Sequence, residues 1–73
     1  MTWESEILSI VQRTWRIRQT FTLAEMYRFE ARLARAHPEN QYVKAKIRQT
    51  LQRLRDERVL DFVDDNGTYR RRG

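Results

Sequence analysis

Residues 41–55 carry five cations, Lys44, Lys46, Arg48, Arg53 and Arg55, and not one carboxylate. Interleaved with them are Gln41, Tyr42, Ala45, Gln49 and Gln52. Each type has a use against a polyanion. Lys and Arg neutralise phosphate, a glutamine amide matches the N6/N7 edge of adenine, and a tyrosine bonds phosphate or stacks on a base methyl. A residue as small as Ala45 permits close approach to a methyl group in a groove. On a wheel at 100° per residue, Val43, Leu51 and Leu54 fall within about 40° of Ile47, and the polar set falls on the far side. A solvated helix normally mixes Glu with Lys for i to i+4 pairs, so a cationic face free of acids across four turns points to a polyanionic partner.

Positioning that face requires a core, and the rest of the chain supplies one. Residues 3–17 place Trp3, Ile7, Ile10, Val11 and Thr14 on one face, with Leu8 and Trp15 at its edge, and read as a first helix with Thr2 as N-cap. Both tryptophans read as core. Thr20-Phe21 is a short extended stretch, and Thr22-Leu23-Ala24-Glu25 is a capping box opening a second helix over residues 23–36. Leu23, Met26, Tyr27, Leu33 and Ala34 point inward. His37-Pro38 ends the helix, because the residue before proline is pushed out of the α region, and Asn40 is the expected N-cap of the third helix. After Arg58 the period shortens to 2. Val59, Leu60, Phe62 and Val63 make a strand, Asn66-Gly67 signals a two-residue turn, and residues 68–71 make the return strand. That turn pairs Asp65 with Thr68, Asp64 with Tyr69 and Val63 with Arg70. The expected class is α+β: a winged helix-turn-helix with three helices, a C-terminal β-hairpin wing and a short extra strand, in one DNA-binding domain over residues 1–73.

Composition narrows the partners. Fifteen basic and ten acidic residues leave +5 on 73 residues, a balance that suits nucleic acid. No apolar run approaches the roughly 20 residues needed to span a membrane, and no signal-peptide pattern opens the chain. The absence of cysteine and the single histidine rule out a disulfide framework and a zinc finger and are compatible with a reducing cytoplasm. No metal or other cofactor is expected. An enzyme reading finds little. His37 sits in a turn, the acidic pairs Glu4/Glu6, Asp56/Glu57 and Asp64/Asp65 read as solvated surface, and no D-x-K or E-x-K is present to hold Mg²⁺ as a restriction-type nuclease does.

The run His37-Pro38-Glu39-Asn40, then Lys46-Ile47-Arg48-Gln49-Thr50-Leu51-Gln52-Arg53-Leu54-Arg55-Asp56, then Leu60-Asp61-Phe62 and Gly67-Thr68-Tyr69-Arg70, resembles the carboxy-terminal winged-helix domain of DpnI-type restriction endonucleases, the Dam-replacing helix-turn-helix family. The stretch from Thr22 through Leu23-Ala24-Glu25-Met26-Tyr27-Arg28-Phe29 to Glu30 matches in style. The resemblance implies double-stranded DNA binding in a restriction system, alongside a nuclease domain, with sensitivity to N6-methyladenine. The expected contact set is Gln41, Tyr42, Lys44, Ala45, Lys46, Arg48, Gln49, Gln52, Arg53, Arg70 and Arg71, on a monomer. Two departures stand out. Arg58 occupies the place where the family tends to have glycine after the third helix, and the wing tip Asp64-Asp65-Asn66-Gly67 carries carboxylates that repel phosphate. Two other readings share the fold: a small transcriptional regulator, which should dimerise on a two-fold site, and a protein-interaction module whose basic helix meets an acidic partner. A last expectation concerns Glu30, which falls about 40° from Met26 inside the apolar arc of a continuous second helix and so calls for a partner, Arg48 or Arg55.

Overall fold

The computed structural model describes residues 2–64 and 67–72. Helix α1 (Trp3–Thr14) leads to strand β1 (Thr20–Thr22). Helix α2 (Leu23–Met26) passes through a 3₁₀ turn (Tyr27–Phe29) into α3 (Glu30–Ala36). Helix α4 (Val43–Asp56) is followed by strands β2 (Leu60–Phe62) and β3 (Thr68–Arg71). The strands form one antiparallel sheet in the order β1-β3-β2. This is the α+β winged helix expected, with β1 as the extra strand. One core joins Ile7, Ile10 and Val11 of α1 to Met26, Leu33, the α4 stripe Val43, Ile47, Leu51 and Leu54, and Phe21, Leu60 and Tyr69 of the sheet. Trp15 lies in it too, stacked on Phe21 at 4.3 Å, while Trp3 packs on its rim.

Both predicted caps form. Thr2 and Thr22 each accept from the N3 amide, and the N3 side chains Ser5 and Glu25 reach back to the cap backbone. The boundaries differ from expectation in four places, each for a local reason. Helix α1 stops at Thr14 rather than at residue 17, because Trp15 turns to extended backbone to meet Phe21. The helix end stays satisfied without glycine. The Arg71 guanidinium donates to Gln12 O at 3.3 Å and to Trp15 O at 2.8 Å, taking up carbonyls that a helix terminus leaves free. The chain then turns into β1 through Arg18, which sits at φ +70°.

The second helix is interrupted rather than continuous. A 3₁₀ residue advances 120° instead of 100°, so residues 27–29 add about 60° to the wheel and carry Glu30 out of the apolar arc. Glu30 is half-exposed and makes no salt bridge among the described residues, so the expected pair with Arg48 or Arg55 does not form. Its carboxylate stands instead in the first turn of α3, where the positive end of the helix dipole favours it.

Helix α4 begins at Val43, two residues after the expected start, and its N-cap is Tyr42 rather than Asn40. Asn40 uses its side chain one step earlier, accepting from Tyr42 N–H at 2.8 Å in an Asx turn. Gln41 and Tyr42 therefore belong to the approach to the helix, not to its surface.

The hairpin pairs Phe62 with Tyr69, Asp61 with Arg70 and Leu60 with Arg71, two residues away along β2 from the expected register. A shift of two keeps every side chain on its face, so alternation alone does not choose between the registers. Packing does: this pairing buries Leu60 and sets Phe62 edge-on to Tyr69 at 5.9 Å. Val63 N–H closes the ladder on Thr68 O at 3.0 Å. The expected Asp65 pairing and Asn66 lie outside the described residues. Gly67, at φ +83°, meets the start of α2, where Leu23 N–H donates to its carbonyl at 2.8 Å and a Cβ would stand 3.3 Å from Leu23 Cβ. Arg58, in the place of the family's glycine, holds φ +62°, a conformation that costs a side-chain-bearing residue on the order of 1 kcal/mol.

Candidate nucleic-acid interface

The exposed side of α4 presents Lys44, Ala45, Arg48, Gln49 and Arg53, with Lys46 and Gln52 half-buried at its flanks. The residues leading in, Gln41 and Tyr42, are also exposed, Tyr42 to 73%. The opposite side is committed to the core through Val43, Ile47, Leu51 and Leu54, together with Thr50, whose hydroxyl donates to Lys46 O at 2.7 Å. The sequence pattern did not single out Thr50. A Thr bonded back to the i−4 carbonyl loses its polar demand and can be buried on a helix.

The cations differ in availability. Lys46 and Arg48 make no ion pair among the described residues. Lys44 Nζ lies 5.6 Å from the centre of the Tyr27 ring, a contact that ties the start of α4 to the 3₁₀ turn. Arg53 pairs with Glu4 of α1 at 3.0 Å, but its side chain is 68% exposed, so the pair is a weak, wet one that a phosphate can displace. Arg55 is held more firmly: it bonds Asp56 at 3.0 Å and lies over the Phe62 ring at 4.9 Å. At the wing, Arg70 faces Asp61 at 3.4 Å on the outer side of the sheet, and Arg71 is engaged on the end of α1. The expected contact residues from 44 to 53 lie along the outer side of α4, with Gln41 and Tyr42 exposed on the approach to it, whereas Arg70 and Arg71 stand elsewhere.

An open groove of about 660 Å³ runs between α4 and the start of α1, with Lys46, Gln49 and Arg53 on one wall and Trp3, Glu4 and His37 on the other. Its floor corrects one expectation. His37 lies in the turn after α3, as expected, and is buried there, stacked on Trp3 at 4.2 Å, and its Nε2–H donates to the Glu6 carboxylate. Glu39 stands 3.6 Å from the other ring nitrogen. Glu4 and Glu6 are accordingly a surface counter-charge and a buried partner rather than a solvated pair. A signal was available for Glu6, which lies about 40° from Ile10 on the helical wheel and so at the edge of the buried face.

Between α4 and the wing, Tyr69 has a displaced titration. Burial pushes its phenol above 10.0, against the opposing pull of the Arg55 and Arg48 guanidiniums. The unfolded chain releases this proton near its ordinary value while the folded one still holds it, so above that pH the unfolded state binds fewer protons. Stability should be unaffected by Tyr69 below pH 10 and fall as pH rises beyond it. Denaturant melts of the wild type and of Tyr69→Phe across the alkaline range check this. The variant should lose part of the alkaline decline, and identical pH profiles would show that the phenol does not drive it.

No helix among the described residues is long and apolar enough to cross a membrane. Comparison with protein-family models matches residues 1–71 to DpnI_C, the Dam-replacing HTH domain. A match over nearly the whole chain, on a helix-turn-helix core with a hairpin wing and an acid-free cationic helix face, settles its kinship: the protein belongs to the Dam-replacing HTH domain family and is a DNA-binding helix-turn-helix domain.

Proposed function

We propose that this domain binds double-stranded DNA with α4 in the major groove and reads adenine there, its affinity changing with N6-methylation, as the recognition part of a restriction system whose cutting chemistry resides in a nuclease domain. The observation that carries the reading is the exposed side of α4, where Lys46 and Arg48 are unpaired among the described residues and Gln49 stands between them with no carboxylate in the helix before Asp56. Phosphates fall to Lys44, Lys46, Arg48 and Arg53, which position the helix. Base edges fall to Gln49, Gln52 and Tyr42, which supply bonding directions that a point charge lacks. Ala45 is exposed one turn before Gln49 on α4 and leaves room for a methyl group.

The test separates positioning from reading. Titrations against methylated, hemimethylated and unmethylated duplex pools should show Lys46→Ala weakening all three alike. Gln49→Ala or Tyr42→Ala should lose about 1 to 3 kcal/mol of discrimination at one base step. Uniform losses from every variant would mean that α4 grips the backbone without reading, and equal affinity of the wild type for the three pools would remove methylation from the proposal.

A further inference from the structure

On the outer face of the sheet, away from α4, Thr20, Arg70 and Asp61 stand abreast on β1, β3 and β2. Their neighbours in sequence, Phe21 and Tyr69, point the other way into the core. Two more guanidiniums join this face. Arg72 follows β3 and places Nη1 3.9 Å from the Asp61 carboxylate. Arg18 is fixed by its backbone, whose N–H donates to Arg71 O at 2.7 Å in the left-handed conformation noted above. Arg18, Asp61, Arg70 and Arg72 line an open groove of about 480 Å³.

The charges in this groove do not balance. Three guanidiniums surround one carboxylate, a local surplus of two positive charges, and Arg18 makes no ion pair among the described residues. The contacts to Asp61, at 3.4 and 3.9 Å, are longer than well-formed guanidinium–carboxylate bonds, so a single acid does not saturate the donors. Each guanidinium offers five N–H donors in a fixed fork suited to phosphate oxygens. We propose that Arg18, Arg70 and Arg72 form a second anion site, independent of the α4 face, that takes a phosphate monoester or free phosphate, with Asp61 as its built-in counter-charge. The surplus selects the ligand class. A phosphate monoester carries about −1.5 to −2 at neutral pH and matches it, whereas a backbone diester carries a single charge and leaves it half neutralised. Asp61 holds the guanidiniums together when the site is empty and competes with the ligand when it is filled.

Amide chemical shifts followed by NMR during titration at constant ionic strength test the site with three probes: inorganic phosphate, a DNA trinucleotide carrying a 5′-phosphate, and the same trinucleotide without it. The first two should produce saturable shifts at Arg18, Arg70 and Arg72, and the third should not. Binding of inorganic phosphate alone would still support the site and assign it to the free ion. Arg70→Gln with Arg72→Gln should weaken binding by roughly tenfold or more, because each lost charge-assisted contact counts at that scale. Asp61→Asn should tighten it several-fold. All these side chains are half-buried or exposed, so unchanged melting curves will show that the variants are folded. Shifts confined to α4, an equal response to both trinucleotides, or weaker phosphate binding by Asp61→Asn would overturn the proposal, and none of these outcomes bears on duplex reading by α4.

Discussion

His37→Ala should cost about 1 to 3 kcal/mol of folding stability, the range for leaving a buried polar group without its hydrogen-bond partner. The His37 side chain is 11% exposed and joins α1 to the turn before α4 by stacking on Trp3 and bonding Glu6. The Glu6 side chain is only 13% exposed, so deleting the ring leaves its carboxylate largely enclosed and without its hydrogen-bond partner. In a chain of this size each kcal/mol moves the melting temperature by roughly 4 to 8 °C, so the loss should be plain in a thermal scan. Glu6→Ala with His37→Ala should cost less than the two single changes added together, because neither leaves the other stranded. Additive costs, or a loss below about 1 kcal/mol for His37→Ala alone, would mean that the contact is incidental. Since His37 also floors the groove beside Lys46 and Gln49, its loss should loosen the setting of α4 against α1 as well.

Regular periodicity made the main elements legible before the structure, and the departures occur where a single side chain outweighs it. The α4 stripe, both Thr caps and the β-strand after Arg58 follow from spacing, because each repeats one physical demand over several residues. Trp15 ends α1 early for the sake of one aromatic stack, and no glycine or proline announces it. Tyr27 and Phe29 tighten the second helix into a 3₁₀ turn, where they meet Lys44 and Trp15 across the fold. A continuous wheel cannot register that change of pitch, which is why it places Glu30 inward. The wing register was hidden for another reason: the expected and observed pairings differ by two residues and satisfy the same alternation, so only the burial of Leu60 against its neighbours decides between them. The candidate site was legible as a helix face but not as a set of free charges. Glu4 is 49 residues from Arg53 in sequence, and the Arg71 contacts to α1 span more than 50, so nothing local distinguishes an arginine that is spoken for from one that is not.

That distinction changes the expected salt dependence of duplex binding. Counting all five cations of residues 41–55 predicts a slope of log K against log salt near −4.5, at about 0.9 per neutralised phosphate. Arg55 leaves the count because it is bonded to Asp56 and lies over Phe62, so Lys44, Lys46, Arg48 and Arg53 remain, and the slope should be near −3.6. Raising salt from about 50 to 200 mM should then weaken binding roughly 150-fold. Glu4 supplies a control specific to this fold. Its contact with Arg53 must be exchanged for a phosphate on binding, and Glu4→Gln removes the competitor without touching the α4 face. That variant should bind more tightly at every salt concentration, with a slope as steep as the wild type or steeper. Lys46→Ala should flatten the slope by about 0.9. If Glu4→Gln leaves affinity unchanged while Lys46→Ala weakens it, Arg53 does not meet phosphate and the contact set ends at Arg48. A wild-type slope near zero would remove α4 from the phosphate backbone altogether.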